Sequence, residues 1–253
     1  MDLGLADRVY VLTGASRGLG LATARHLVAD GARVVLSARA PERVAEAVEA
    51  LGGPQRAIGL TADLTDPGTP ERLIAAAREQ FGRLDGALIS VGGPPRGTAA
   101  QVTDAQWRES FETVFLGSVR AARTVAAALT EGGAIGLVLS TSTRGPVPGL
   151  GISNGLRPGL AGVAKDMADE YGPRGVRVLS LLPGRIMTDR NKELFAATGD
   201  PERARQEAEA AIPLGRVGDP DEFGRVAAFL LSPAASYLTG VTVPVDGGAL
   251  RGL

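Results

Sequence analysis

Short apolar runs alternate with longer amphipathic stretches along almost the whole chain. The runs at 9–12, 33–37, 57–60, 86–90, 135–140, 176–181 and 241–245 are rich in Val, Leu and Ile. That composition suits strands buried on both faces. Between them, helical periodicity predicts helices near 18–30, 41–51, 69–81, 103–129, 155–171 and 219–231. Regular alternation of strand and helix argues for an α/β fold with a doubly wound parallel sheet of about seven strands. No linker, low-complexity tract or internal repeat interrupts the pattern, so 1–253 reads as a single domain.

One stretch departs from the alternation. From 185 to 214 the chain carries scattered charge (Arg185, Asp189, Arg190, Lys192, Glu193) and then a short helical run at 201–211. It follows the sixth strand, at the carboxyl edge where open α/β sheets hold ligands, and so reads as a lid over a substrate site.

Composition narrows the function classes. Hydrophobic residues make up 44% of 253, enough for a sizeable core, and the net charge is −1. That balance gives no footprint for nucleic acid or an anionic membrane surface. The absence of cysteine excludes disulfides, thiolate metal sites and a cysteine nucleophile. The single histidine, His26, falls inside the first helix and reads as a packing residue, which argues against a Ser-His-Asp triad and a histidine metal site. No basic segment followed by an apolar core opens the chain, and no run is long enough to span a bilayer. The expectation is a soluble cytoplasmic protein with no metal.

The chemistry starts at Thr13-Gly14-Ala15-Ser16-Arg17-Gly18-Leu19-Gly20, between the first strand and the first helix. A glycine-rich turn there is a phosphate cradle. Bare backbone admits a diphosphate, and the first unpaired helix N–H groups point at it. Gly14, Ser16, Arg17, Gly18, Leu19 and Gly20 are the candidate contacts. About 20 residues further on, a site selecting NAD places an acid on the ribose 2′-hydroxyl. Here the chain reads Val34-Val35-Leu36-Ser37-Ala38-Arg39, with no acid. Ser37 and Arg39, with Arg17, suit a 2′-phosphate, so NADP(H) is favoured over NAD(H).

The spacing G-x-x-x-G-x-G after Thr13 resembles the short-chain dehydrogenase/reductase family, and the resemblance covers almost the whole chain. It implies one Rossmann-like domain. Asp63-Leu64 resembles the family's adenine contact, and Gly92 lies in the segment after the fourth strand. Pro183-Gly184, with Ile186 and Thr188, resembles the segment that holds the nicotinamide carboxamide. The ending Tyr237-Leu238-Thr239-Gly240, then Val245-Asp246-Gly247-Gly248, is similar to the family's last strand.

The family's reductases use a tyrosine as proton donor, a lysine four residues later, a serine that polarises the carbonyl, and an upstream asparagine. The helix containing Gly159-Leu160-Ala161-Gly162 sets the register here. It puts Ser153 at the tyrosine position and Arg157 at the lysine position. The asparagine position falls near Val114. Ser90-Val91-Gly92-Gly93-Pro94-Pro95 stands where relatives carry Asn-Ala-Gly. The serine survives as Ser140, favoured by its spacing to 153, or as Ser142, favoured by the following Gly145. Tyr10, Tyr171 and Tyr237 are not placed to act instead.

Arginine cannot relay a proton, but it can stabilise a developing alkoxide. Loss of a positioned general acid costs roughly 10²–10⁴ in rate. The resemblance, closest to the 3-oxoacyl-(acyl-carrier-protein) reductase group at Ile212-Pro213-Leu214-Gly215-Arg216, implies an NADP-dependent reductase of a 3-oxoacyl-type or other ketone. The alternative is a cofactor-binding protein without turnover, a redox sensor or structural partner. Arg96, Arg144, Arg157 and Arg185 all fall at or just past the carboxyl edge, where they could form an anion-binding mouth. A small-molecule or carrier-linked carbonyl, anionic or neutral, is the expected substrate. Relatives imply a homotetramer or homodimer, and Trp107 reads as a packing residue.

Overall fold

Seven parallel strands form one sheet in the order β3-β2-β1-β4-β5-β6-β7. They are β1 (Val9–Thr13), β2 (Arg33–Ala38), β3 (Ala57–Thr61), β4 (Gly86–Ile89), β5 (Gly133–Val138), β6 (Val176–Pro183) and β7 (Thr242–Val245). The computed structural model describes residues 2–130, 132–196 and 198–252. Both faces of the sheet are covered. Tyr10 and Leu12 of β1 point into one core with α1 (Gly18–Ala29), α2 (Pro41–Ala50) and α9 (Pro220–Leu231). Val9 and Val11 point into the other, with α3 (Thr69–Phe81), α5 (Gly117–Ala128) and α6 (Gly151–Tyr171). A strand buried on alternate sides by two helical layers has no polar face, which is why these segments read as unbroken apolar runs.

The remaining helices are α4 (Asp104–Ser110), α7 (Asp189–Ala196) and α8 (Pro201–Ala210). The predicted helix over 103–129 is interrupted. A capping box between Thr103 and Gln106 starts α4, and a π-helical turn, Phe111–Leu116, separates it from α5. Gly117 restarts the regular helix where a Cβ would stand 2.9 Å from the Leu64 carbonyl oxygen. Other boundaries move as well, two of them for visible reasons. β5 stops at Val138 instead of 140, because the Ser140 Oγ accepts the Ser142 N–H and opens a short 3₁₀ turn. α6 begins four residues earlier than predicted, tied at its start by the Gly151 N–H to the Gly97 carbonyl.

α6 carries the candidate catalytic positions, and three glycines spaced by four set its depth. A Cβ on Gly151 would stand 2.7 Å from the Ala99 nitrogen, one on Gly155 2.8 Å from the Trp107 ring, and one on Gly159 3.0 Å from the Phe115 ring. Trp107 is therefore a packing residue, as expected. Gly155→Val is predicted to overpack this contact and lower stability by about 1–3 kcal/mol, read by urea denaturation. His26 is also structural. It lies on α1 facing α9, with Asp221 at 3.7 Å and its ring against Gly224.

Candidate active site

Strand order reverses between β1 and β4, which opens a crevice beyond their carboxyl ends. Thr13 stitches the two strands there. Its Oγ1 donates to the Ser90 carbonyl at 2.8 Å and accepts the Ser90 N–H at 2.9 Å. Gly14 follows at φ +59°, where a Cβ would lie 2.6 Å from that carbonyl oxygen. Gly18 opens α1 at φ +55°, and no side chain caps the helix. Its first N–H groups are therefore available to a ligand, as an anion-binding helix start requires. The Ala15 N–H donates to the Ser37 carbonyl at 3.1 Å and fixes the turn to β2.

A cavity of about 990 Å³ occupies the carboxyl edge of the sheet. Of the residues singled out in the sequence, Gly14, Arg17, Gly18, Leu19, Gly20, Gly92, Pro183, Gly184, Ile186 and Thr188 line it, as do Ser140, Ser153 and Arg157. Ser16, Ser37, Arg39, Asp63, Leu64 and Ser142 stand outside its lining. Ser37 is buried in β2, so its hydroxyl is enclosed by the sheet and its carbonyl is what meets the glycine turn. Arg39 is exposed directly beyond β2. Asp63 is half-buried and its Oδ1 accepts from the N–H and hydroxyl of Thr65, while Leu64 is buried beneath α5. The segment 185–214 forms α7, unforeseen in the sequence, and then α8. Both helices border the cavity through Leu194, Phe195, Ala204 and Ala208.

The two candidate serines take different places. Ser140 faces the cavity. Ser142 is buried, with its Oγ 2.9 Å from the Ser153 Oγ, so it backs Ser153. One helical turn after Ser153 comes Arg157, only 4% exposed. Its Nη1 donates to the Val138 carbonyl at 2.7 Å, where β5 ends, and its Nε is buried without a partner. Burial, and secondarily the like charge of Arg190, pull the guanidinium down to about 10 from its ordinary value. It is a cation at neutral pH.

No tyrosine lines the cavity. The Tyr10 hydroxyl donates to the Leu231 carbonyl, Tyr171 closes α6, and Tyr237 is fully exposed. Val114 lies in the π turn with its carbonyl accepting the Ser118 hydroxyl at 2.7 Å. Val114 offers no side-chain amide there.

The arginine mouth needs one correction. Arg144 donates to the Thr242 carbonyl at 3.1 Å and does not line the cavity. Sequence position put it at the right edge of the sheet, but its side chain turns toward β7. Arg190 takes its place, with Nη1 and Nη2 donating to the Gly93 and Pro94 carbonyls at 3.1 and 3.2 Å. The charge run after β6 was the signal for it. Arg17, Arg96, Arg185 and Arg251 also line the cavity. Burial, and then the neighbouring Arg96, lower both Arg185 and Arg190 from the ordinary arginine value. Among the described residues no cluster of His, Cys, Asp or Glu could hold a metal ion, and no helix is long and apolar enough to cross a membrane.

Comparison with known proteins supplies the family. A family model described as Enoyl-(Acyl carrier protein) reductase matches residues 14–249. An L-rhamnose 1-dehydrogenase (NAD(P)(+)) of Azotobacter vinelandii is 33% identical over 254 residues, spanning 96% of this chain and 97% of that protein. A levodione reductase of Leifsonia aquatica is 34% identical over 256 residues, spanning 96% and 94%. Among solved structures, L-sorbose reductase from Gluconobacter frateurii, complexed with NADPH and L-sorbose, superposes with a TM-score of 0.93 at 29% identity over the whole of both chains.

Proposed function

The chain belongs to the short-chain dehydrogenase/reductase family of NAD(P)-dependent oxidoreductases, and from that premise we propose that it is an NADP(H)-dependent reductase of a ketone, of 3-oxoacyl or another type, with a serine–arginine catalytic corner. The observation that carries this reading is the buried Arg157 guanidinium in the same cavity wall as Ser140 and Ser153.

The residues present fit a dinucleotide. A Cβ on Gly14 or Gly20 would fill the turn, and the uncapped start of α1 leaves donors for a diphosphate. Arg17 and the exposed Arg39 would hold a 2′-phosphate, and Pro183, Gly184, Ile186 and Thr188 would hold the nicotinamide end. When bound, the coenzyme supplies a hydride to the carbonyl carbon. Ser140 donates a hydrogen bond to the carbonyl oxygen. Ser153, held by Ser142, is a second donor to that oxygen. Arg157 stabilises the negative charge that develops there, and water supplies the proton. The segment 185–214 acts as the lid. Assembly as a homotetramer or homodimer belongs to the same proposal, with exposed Phe111 on a surface available to it.

Three outcomes test this function. NADPH is oxidised in the presence of a ketone panel, and Ser140→Ala lowers kcat by roughly 10²-fold, the usual effect of removing one oxyanion donor. NADPH bound but never consumed across the panel overturns the assignment. Arg39→Ala weakens NADPH by about 10- to 100-fold in Kd and leaves NADH unchanged, as loss of a charge-assisted contact to one phosphate requires. The pH profile of kcat/KM is flat from neutrality upward and falls only near about 10, where Arg157 loses its proton. A bell-shaped profile centred near neutrality would instead reveal a titrating acid and displace arginine from the role.

A further inference from the structure

The cavity holds a positive charge that none of the described residues balances. Among the described residues, no carboxylate pairs with Arg157, and its hydrogen bonding is limited to the Val138 carbonyl. Burial and Arg190 both disfavour its charged form. A buried ion with no counter-charge is costly, and proteins retain one where a ligand completes the pair. The rim adds further positive charge, since Arg96 lies close enough to lower both Arg185 and Arg190, and Glu193 offsets only part of this at Arg190. The two carboxylates that line the cavity are engaged elsewhere. Asp189 lies 3.8 Å from Lys192, and Glu207 accepts from Arg203 at 2.9 Å.

The coenzyme does not supply the missing charge. On the reductase reading, its phosphates belong to the Gly14–Gly20 turn and to Arg39. Its nicotinamide end is neutral when reduced and cationic when oxidised. We infer that the substrate supplies it: the molecule reduced here is an oxo acid, whose carboxylate pairs with Arg157 inside the ring of rim arginines. A carboxylate, with one charge, matches one buried guanidinium, and guanidinium and carboxylate are complementary planar groups. The rim then concentrates such anions at the mouth. This inference rests on the reductase function and names its substrate class.

The test pairs each acid with its ester. Binding of pyruvate, acetoacetate and 2-oxoglutarate, and of their methyl esters, is measured by calorimetry on protein saturated with NADP⁺, and turnover is measured with NADPH. The expected result is that at least one acid binds tenfold or more tightly than its ester. That ratio falls to about one in Arg157→Met, is partly kept in Arg157→Lys, and shrinks about threefold in Arg185→Gln. Because the ratio is taken within each variant, a change in coenzyme affinity affects both arms equally. Unliganded Arg157→Met should also melt at or above the wild-type temperature, since an unpaired buried charge has gone. A purely structural arginine would give a lower one. Esters that bind or react as well as acids, or a preference that survives Arg157→Met, overturn the inference and leave the reductase assignment standing. Absence of NADPH oxidation with acids, esters and simple ketones alike overturns the reductase assignment itself.

Discussion

Gly14→Val is expected to weaken NADPH and NADH together by at least about 100-fold, to the limit of calorimetric detection. Two effects act at once. At φ +59° a β-branched residue sits in the left-handed region, at a cost of about 1–2 kcal/mol. Its Cβ would also lie 2.6 Å from the Ser90 carbonyl oxygen. That carbonyl is anchored by the Thr13 hydroxyl, so the turn must move instead. Its backbone N–H groups then leave the positions from which they could hold a diphosphate. Gly82→Val is the matched control. It shares a positive φ, +77°, but has open space around the new side chain and lies at the end of α3, outside the cavity lining. It should lower the melting temperature and leave coenzyme affinity alone. Wild-type affinity in Gly14→Val would mean that the coenzyme lies elsewhere, and the catalytic corner would lose its role.

The largest loss of stability is expected from Asp85→Ala, about 3 kcal/mol by urea denaturation, with NADPH affinity preserved. Asp85 is 7% exposed and precedes β4, at the end of the sheet opposite the cavity. Its Oδ1 accepts from Arg8 at 2.9 Å and from Arg83 at 2.7 Å, while Oδ2 accepts the Val9 N–H at 2.9 Å and Arg83 Nε at 2.8 Å. One carboxylate thus pins the start of β1 to β4 and neutralises two guanidiniums. Its removal leaves the buried Val9 N–H unsatisfied and takes from Arg8 its carboxylate partner. Because both arginines are partly exposed, the effect belongs at the low end of the usual range for a broken buried pair. A loss under about 1 kcal/mol would show that water replaces the carboxylate, and that the β1–β4 junction depends on packing alone.

The features legible in the sequence were those that one short segment encodes by itself. The central strands could be read because they are buried from both sides, whereas the edge strands β3 and β7 are only partly covered. The turn from Gly14 to Gly20 could be read because positive φ and close approach admit little besides glycine. Ser153 and Arg157 could be set one helical turn apart by spacing, while their candidate catalytic positions came from the family resemblance. The boundaries at 138 and 151 could not, since a serine cap and a bond to the distant Gly97 decide them.

Local pattern therefore determined the doubly wound sheet and the family, together with a glycine turn between β1 and α1 and a serine and an arginine one turn apart on α6. Tertiary structure alone decided that Ser140 faces the cavity while Ser142 supports Ser153, that Arg190 and not Arg144 joins the mouth, and that Arg157 meets no counter-charge among the described residues. The physical reason is range. Backbone preference and burial periodicity act over a few residues, whereas the direction of a side chain and the pairing of a charge depend on partners that only folding brings within hydrogen-bond distance.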